Sequence, residues 1–186
     1  MLTYVFWHIP APSANRENYE RLLVDFHKTL AAHAPAGFRS SLAFRTQNAP
    51  WIGNGAAAYE DWYLVDNSTA LDAINDAAVS GPRKGPHDLV ASLAASGAAG
   101  LYRLKSGQVS AMRSARHALW FSKPAISYDA LFAQLGPITE ALQTLLWMRQ
   151  MVLSAGPEFC IRSATQLVLP KEIAVIHCPV QAIYPA

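Results

Sequence analysis

Charged side chains are scarce in this sequence. Only 15% of its 186 residues are charged, and the formal net charge is +2. A charge so close to zero gives no strong attraction to nucleic acid or to an anionic membrane surface. We therefore expect neither as a partner.

Long apolar runs and numerous cysteines are also missing. The longest apolar runs, 2–9 and 173–178, are much shorter than the roughly 20 residues that cross a bilayer. No basic residue precedes the first run, so we expect no signal peptide. Two cysteines cannot build a disulfide framework, and they favour a reducing compartment, the cytoplasm.

Hydrophobic residues, by contrast, are abundant. They make up 52% of the chain, which includes five Trp and seven Tyr. This composition is typical of strands that are buried on both faces rather than of a sheet with one face in water. We expect a large aromatic interior.

The first 106 residues predict structural elements in the order βαββαβ. Their strands are rich in β-branched and aromatic residues, and their helices have apolar residues at helical spacing. The predicted elements are strands over 2–9, 37–46, 59–65 and 100–105, a turn over 48–55, a helix capped by Ser13 or Asn15, and a helix from Ser68 to Ser96 interrupted over 81–86.

The same order begins again after a polar segment, 107–114, which we predict to be a linker. The predicted elements are strands over 116–122, 145–153, 158–163 and 173–183, a helix that begins at Ser127, is kinked at Pro137 and continues through Ala141 and Leu142, and a short helix over 165–171. We therefore predict two units, 1–106 and 115–186, the second with a shortened second helix.

Three pairs of segments support an internal duplication. Phe6-Trp7 before Pro10 resembles Leu119-Trp120 before Pro124. The segments 18–23 and 127–132 correspond at the start of a helix, and 42–45 and 146–149 correspond in a strand. The three pairs occur in the same order, each at the equivalent element, which favours duplication over chance.

A duplication of this kind predicts a barrel. A four-stranded sheet with helices on one face leaves its other face apolar, and two such sheets can bury those faces against each other. The predicted fold is α+β, with two tandem ferredoxin-like βαββαβ units packed as a single-chain version of a dimeric α/β barrel.

In element order the chain resembles the dimeric α/β barrel superfamily, which includes the EthD-like, stress-responsive and antibiotic-biosynthesis monooxygenase families. The resemblance covers nearly the whole chain, but no catalytic motif carries it. It implies a cavity for a small apolar or aromatic ligand between sheet and helices. Several members are cofactor-independent or haem-using enzymes, and others have no known activity.

His8 is the preferred catalytic candidate. Tyr4, Phe6 and His8 share one face of the first strand, and His8 stands near its end, where pockets open. An imidazole among aromatic rings can orient an aromatic ligand or move a proton. The equivalent strand of the second unit places His117 and Phe121 on the matching face. The remaining pocket candidates are His27, which follows Phe26 on the first helix, and Trp62. The alternative interpretation is that these polar groups are ordinary core residues bonded to neighbours.

Two cations, Arg83 and Lys84, define a candidate anion site. They lie in the segment 81–87, which leads into a predicted helix N-terminus. A solvated loop is the alternative. Arg45 and Arg149 at equivalent strand positions could hold an acidic ligand or reach water.

No metal site is predicted, because the histidines, cysteines and carboxylates have no recognised ligand spacing. No cofactor is predicted, although haem is not excluded because it needs only one proximal histidine. Cys160 and Cys178 are expected to be core residues too far apart for a disulfide.

Two functions stay open from the sequence. The first is a cofactor-independent oxygenase-like or isomerase-like enzyme acting on a small apolar or aromatic molecule. The second is a non-catalytic binding or structural module of the same fold. RNA binding, which the βαββαβ order permits, lacks the basic and aromatic stacking motif. The less covered face of the second unit is the expected surface for a partner subunit in a homodimer.

Overall fold

The computed structural model describes residues 1–53, 58–140 and 144–185. Its elements are β1 (Leu2–Pro10), α1 (Arg16–Ala32), β2 (Phe38–Thr46), β3 (Ala58–Val65), α2 (Thr69–Ala78), α3 (Gly81–Ala91), β4 (Ala94–Ser106), a 3₁₀ turn (Val109–Ser114), β5 (His117–Phe121), α4 (Tyr128–Thr139), β6 (Thr144–Ser154), β7 (Phe159–Ser163) and β8 (Val175–Tyr184). Part of the predicted turn over 48–55, and the predicted helical positions Ala141 and Leu142, lie outside the described residues.

The eight strands form one closed antiparallel barrel. Their order around it is β1-β3-β2-β8-β5-β7-β6-β4, with β4 returning to β1. Within the first half the order is β4-β1-β3-β2, and within the second half it is β8-β5-β7-β6. The pairs β2–β8 and β4–β6 join the halves. The α+β class and the barrel are therefore confirmed.

The interior of the barrel is aromatic. Trp7, Trp62, Trp120 and Trp147 are fully buried in it, and each packs edge-on or tilted against another of the four. A second buried cluster lies between the outer face of the first half and α1–α3, and a third lies under α4. Each strand of the first half thus contributes one face to the interior and one to the helices.

Several sequence-based element predictions are wrong in detail. The helical stretch is interrupted at 79–80 rather than over 81–86: α2 ends at Ala78, and the segment 81–86 begins α3, because Pro82 occupies the first turn, where proline is tolerated. The helix ends at Ala91 rather than at Ser96, and β4 begins at Ala94 because Ser96 and Gly97 pair with β1. Position 97 suits a glycine, since a Cβ at this residue would lie 2.6 Å from the Phe6 ring.

The predicted helix over 165–171 is also absent: that segment has no regular structure. Instead, Leu169 and Ile173 bury their side chains against the outer face of the second half. The predicted linker folds as the 3₁₀ turn, and its Met112 is fully buried in the barrel interior. Both segments, 165–173 and the 3₁₀ turn, thus cover the barrel by burying apolar side chains against it.

Candidate functional site

A cavity of about 470 Å³ lies between the outer face of the first half and helices α1–α3. Its walls are largely apolar and include Phe6, Phe26, Leu71, Ile74 and Val90. Its polar lining groups are Tyr4, His8, Tyr19, Asp61, Tyr63, Asp72, Asn75 and His87. Cavities of this size and composition are typical of small-molecule sites.

Strand register places His8 next to Asp61. In the antiparallel pair β1–β3, Phe6 lies opposite Asp61 and His8 lies opposite Tyr59. His8 and Asp61 are therefore diagonal neighbours on one face of the sheet. His8 Nε2 is 3.2 Å from Asp61 Oδ2, and the two side chains are 2% and 4% exposed.

Helix α1 adds two further groups. Tyr19 and His27 are eight residues apart, so both lie on the buried face of this helix. The Tyr19 hydroxyl is 2.5 Å from His8 Nδ1, and His27 Nε2 is 3.2 Å from Asp61 Oδ1. Asp61 consequently has an imidazole on each of its oxygens.

Hydroxyl groups and aromatic rings complete the cluster. The Tyr63 hydroxyl donates to Asp61 Oδ2 at 3.1 Å, and His27 Nδ1 is 2.7 Å from Ser41 Oγ. The His8 ring is stacked with those of Phe6 and Tyr59, with ring centres 5.2 and 5.6 Å away. Both imidazoles are thus fixed in orientation.

The electrostatics of the cluster keep Asp61 ionised. Burial alone raises the pKa of Asp61, but the adjacent His8 and His27 together outweigh it, so the pKa of this carboxyl lies well below its ordinary value. Burial, with the charge of Asp61 and the nearby Tyr59, raises the pKa of Tyr19 above its ordinary value. Burial and Asp61 likewise raise the pKa of Tyr63. The tyrosines therefore stay neutral and donate hydrogen bonds.

These charge states assign a chemical role to His8. With Asp61 ionised and Tyr19 neutral, Tyr19 donates to His8 Nδ1, which leaves the His8 hydrogen on Nε2, 3.2 Å from the carboxylate. A hydroxyl, an imidazole and a carboxylate in this sequence of contacts can move a proton and stabilise the imidazolium that results.

The predicted pocket residues separate into two groups. Tyr4, Phe6 and His8 line the cavity, and His27 lies behind it against Asp61. Trp62 does not line it: side chains alternate along β3, so Trp62 points into the barrel interior, where it donates to Glu60.

The other predicted pocket residues belong to the second half. His117 Nδ1 is 2.9 Å from His177 Nε2, and Phe121 stacks on Phe159. Neither lines the cavity of the first half. The cavity described above is lined by residues of the first half.

The predicted anion-site cations have protein partners. Arg83 donates to the carbonyl oxygens of Ala77 and His33, and Lys84 pairs with Asp88. Both residues lie on α3, which packs against α1. Anion binding at this segment stays a prediction.

Sequence reasoning missed Asp61, Tyr19, Tyr63 and Ser41 as site residues. One signal could have found Asp61: Glu60 and Asp61 are adjacent charges in a strand that is otherwise apolar and fully buried. Adjacent strand residues face opposite sides. Glu60 accordingly faces the barrel interior, where it accepts from Arg162 at 2.8 Å, and Asp61 faces the helices.

The contacts of His8 bear on haem binding. Both ring nitrogens of His8 are within 3.2 Å of Tyr19 or Asp61, so His8 as placed does not present a nitrogen to a haem iron. His87 is the other histidine that lines the cavity. The described residues contain no group of three or more His, Cys, Asp or Glu arranged to hold a metal ion.

The two cysteines do not belong to the site. Cys160 and Cys178 are free, and they lie on β7 and β8, the two neighbours of β5. Burial raises the pKa of Cys178 to about 12 and that of Cys160 well above its ordinary value. Both thiols therefore stay protonated and serve as core residues.

Comparisons with known proteins give the fold. No family model matches the chain, and no curated protein matches it by sequence. Several solved structures are similar to it in fold. Among them are a protein from Lactobacillus acidophilus NCFM provisionally named a monooxygenase (TM-score 0.59, 10% identity, 98% of this chain and 94% of the other covered) and an anthrone oxidase-like protein (TM-score 0.51, 10% identity, 98% and 93% covered). A mutant chlorite dismutase from Candidatus Nitrospira defluvii matches at a TM-score of 0.46 and 6% identity, covering 98% and 92%.

The first two structures have the dimeric α/β barrel fold, which this chain therefore shares. At 10% identity the likeness shows the fold alone. Across the described residues, no helix is both long and apolar enough to cross a membrane.

Proposed function

We propose that the chain is a cofactor-independent, oxygenase-like enzyme that removes a proton from a small aromatic molecule bound in the cavity. The Tyr19–His8–Asp61 contact at the cavity wall carries this proposal. Burial of all three groups gives the imidazole a defined hydrogen-bonding role rather than a solvated one. The cavity volume and its apolar walls suit an aromatic ligand.

The proton moves in two linked transfers. The ligand donates its acidic C–H or O–H proton to the Tyr19 oxygen while the Tyr19 hydroxyl proton passes to His8 Nδ1. His8 becomes an imidazolium that Asp61 stabilises at 3.2 Å. Because the pKa of Tyr19 is raised, the phenol transfers its proton only as it receives one.

An oxygenase-like reaction follows if dioxygen is the co-substrate. The carbanion left on the ligand adds dioxygen, and the resulting peroxide takes the proton back from the Tyr19–His8 pair. Loss of water from that hydroperoxide leaves a carbonyl at the carbon that lost its proton. For anthrone, one dioxygen is consumed and anthraquinone and one water are formed. Without dioxygen, return of the proton to a different carbon of a suitable ligand is an isomerisation.

Anthrone is a suitable probe because it is a small aromatic ketone with an acidic methylene group, and one structural neighbour is described as anthrone oxidase-like. We expect wild-type protein to consume oxygen and form anthraquinone above the spontaneous rate. His8→Gln should lower that rate by about 100-fold or more, the usual contribution of a general base. Oxygen uptake and absorbance follow the reaction.

His33→Gln provides the matched control, since His33 is an exposed histidine at the end of the same helix α1. It should leave the rate unchanged. Binding of anthrone without any rate above background would replace the enzyme with the binding module. Equal rates for wild type and His8→Gln would reject His8 as the base.

The duplicated architecture is part of the same proposal. We take 1–106 and 115–186 as tandem ferredoxin-like units, which the matching strand orders of the two halves support. A homodimer and a cytoplasmic location stay predictions from the sequence.

A further inference from the structure

His27 takes no part in the proton transfer described above, yet it is fully buried and touches the same carboxylate as His8. It does not line the ligand cavity. A buried imidazole on Asp61, facing away from the ligand, needs a role of its own.

The charge of the cluster supplies the argument. With both imidazoles neutral, Asp61 leaves a buried net charge of −1, and with both protonated the cluster carries +1. One imidazolium gives a neutral cluster, which a buried environment favours. The two histidines therefore compete for a single proton.

The hydroxyl partners of the two rings distinguish them. His8 Nδ1 faces a phenol, Tyr19, whereas His27 Nδ1 faces an aliphatic hydroxyl, Ser41. A phenol is the stronger hydrogen-bond donor, and it suits a neutral imidazole nitrogen. An aliphatic hydroxyl is the stronger acceptor, and it suits the N–H of an imidazolium.

Aromatic rings surround both imidazoles alike. The rings of Tyr63 and Tyr184 stack on His27 at 5.5 and 5.2 Å, and electron-rich ring faces attract a cation. His8 also has two tyrosines beside it, Tyr59 at 5.6 Å and Tyr19 at 5.7 Å. The hydroxyl partners therefore decide which imidazole holds the positive charge.

We propose that His27 is the resident cation of the cluster: it neutralises Asp61 in the resting protein and so leaves His8 neutral and able to accept a proton. It is a positioning residue, acting on His8 through Asp61. When His8 takes up the ligand's proton, His27 releases its own Nδ1 proton through Ser41, and the net charge of the cluster is unchanged. When His8 returns its proton to the peroxide, His27 takes up a proton again by the same route.

In this proposal the proton leaves toward a second cavity, which Ser41 helps to line. It has a volume of about 370 Å³, lies between the start of β2 and the 3₁₀ turn, and is lined by Ser41, Leu42, Ser110, Arg113 and Pro185, among others. The cluster thus has Tyr19, His8 and Asp61 at the ligand cavity and Ser41 at the second cavity. Proton exchange through Ser41 does not pass the ligand.

Tyrosines and the Asp61 carboxylate are the titratable groups that face the two imidazoles. Tyr19, Tyr59 and Asp61 face His8, and Tyr63, Tyr184 and Asp61 face His27. The Tyr59 hydroxyl donates to Glu20, which pairs with Arg45. Asp61 is the charged group in contact with both imidazoles.

Nitrogen NMR of the histidine rings in the wild-type protein tests the proposal directly. At pH 7 we expect His27 to carry hydrogen on both ring nitrogens and His8 to carry it on Nε2 alone. A cationic His8 beside a neutral His27 would overturn the proposal, as would two neutral rings.

Nitrogen NMR of two variants gives a second test. In His27→Gln, His8 becomes the imidazole available to neutralise Asp61, so at pH 7 it should carry hydrogen on both ring nitrogens. The further change Asp61→Asn should return His8 to the neutral form, and His33→Gln should leave the His8 ring unchanged. A neutral His8 in His27→Gln would contradict the proposal.

Only the catalytic role of His27 rests on the proposed function. Its charge can be tested separately, because neither NMR measurement requires a substrate. If the protein does not convert anthrone, the assignment of the positive charge to His27 still stands. The reverse result, an active enzyme with a neutral His27, would remove this inference and keep His8 as the base.

Discussion

At the scale of single residues, Asp61 determines the properties of the site. It is 3% exposed, and it accepts from Tyr63 and contacts both His8 and His27. Its carboxylate fixes the orientation of His8 and requires one positive charge nearby. The same residue therefore links the stability of the fold to the chemistry proposed for it.

Asp61→Asn should lower the free energy of unfolding by about 3 kcal/mol at pH 7, because it removes one partner of a buried charged cluster. In the unfolded chain the pKa of Asp61 is about 4, and in the folded chain it is lower. The stability it contributes is therefore full above that pH and is lost as the pH falls toward the folded pKa. Urea unfolding of both proteins at pH 7 and at lower pH measures this difference. A difference that stays constant across this range would exclude the linkage.

At the scale of elements, β1, β3 and α1 bring the site together. The alternation of β1 predicts that Tyr4, Phe6 and His8 share a face, and they do. The helical spacing of α1 predicts that Tyr19 and Phe26 are buried, which is also confirmed. Neither pattern reveals that Asp61 joins His8 to His27, because that contact depends on the register between β1 and β3 and on how α1 packs over them.

The helix ends illustrate a similar limit. The pair Arg83-Lys84 has the composition of an anion site, but Arg83 donates to carbonyl oxygens near the ends of α1 and α2. Sequence cannot tell an arginine that holds carbonyl groups from one that awaits a ligand, because both need the same donor groups.

Arg83→Met should therefore lower stability by about 1–2 kcal/mol, since two charge-assisted hydrogen bonds are lost, a partly buried one to Ala77 and an exposed one to His33. Thermal or urea unfolding measures this. Lys84→Met is the matched control: Lys84 is exposed and pairs with Asp88 one turn away, and it should change stability by no more than about 0.5 kcal/mol. Equal effects of the two changes would contradict the role given to Arg83.

At the scale of the whole molecule, the two halves are joined through the interior of the barrel. Glu60 on β3 and Arg162 on β7 form an ion pair at 2.8 Å, and both side chains are fully buried. The Arg162 guanidinium also lies over the rings of Phe44 and Trp62, at 4.4 and 5.0 Å. This pair crosses from the first half of the chain to the second.

Replacing one member of the Glu60–Arg162 pair should lower the free energy of unfolding more than replacing both. Arg162→Met should lower the free energy of unfolding by about 3–5 kcal/mol, because Glu60 is then a buried charge without its partner. The double variant Glu60→Leu, Arg162→Met should recover much of that loss. Denaturant unfolding of four proteins, the wild type, each single variant and the double variant, measures the coupling. Additive changes in the free energy of unfolding would show that the pair is not coupled.

Barrel closure could be anticipated from the duplicated element order and the non-alternating strands. The covers of the barrel could not: the irregular segment carrying Leu169 and Ile173 and the turn carrying Met112 have little local pattern. Their conformations are set by apolar surface that the rest of the fold leaves open. The asymmetry of the two halves follows from these covers, and the cavity lies in the half that keeps all its helices.

The central claim, proton abstraction by the His8 cluster, is tested most directly by deuterium exchange of the anthrone methylene group in D₂O without oxygen. Proton NMR follows the loss of the methylene signal and separates proton removal from any later reaction. The account predicts that wild-type protein and His33→Gln accelerate the exchange equally and that His8→Gln reduces the acceleration by about 100-fold or more. Acceleration that is the same in His8→Gln, or absent in wild-type protein with anthrone bound, would contradict it.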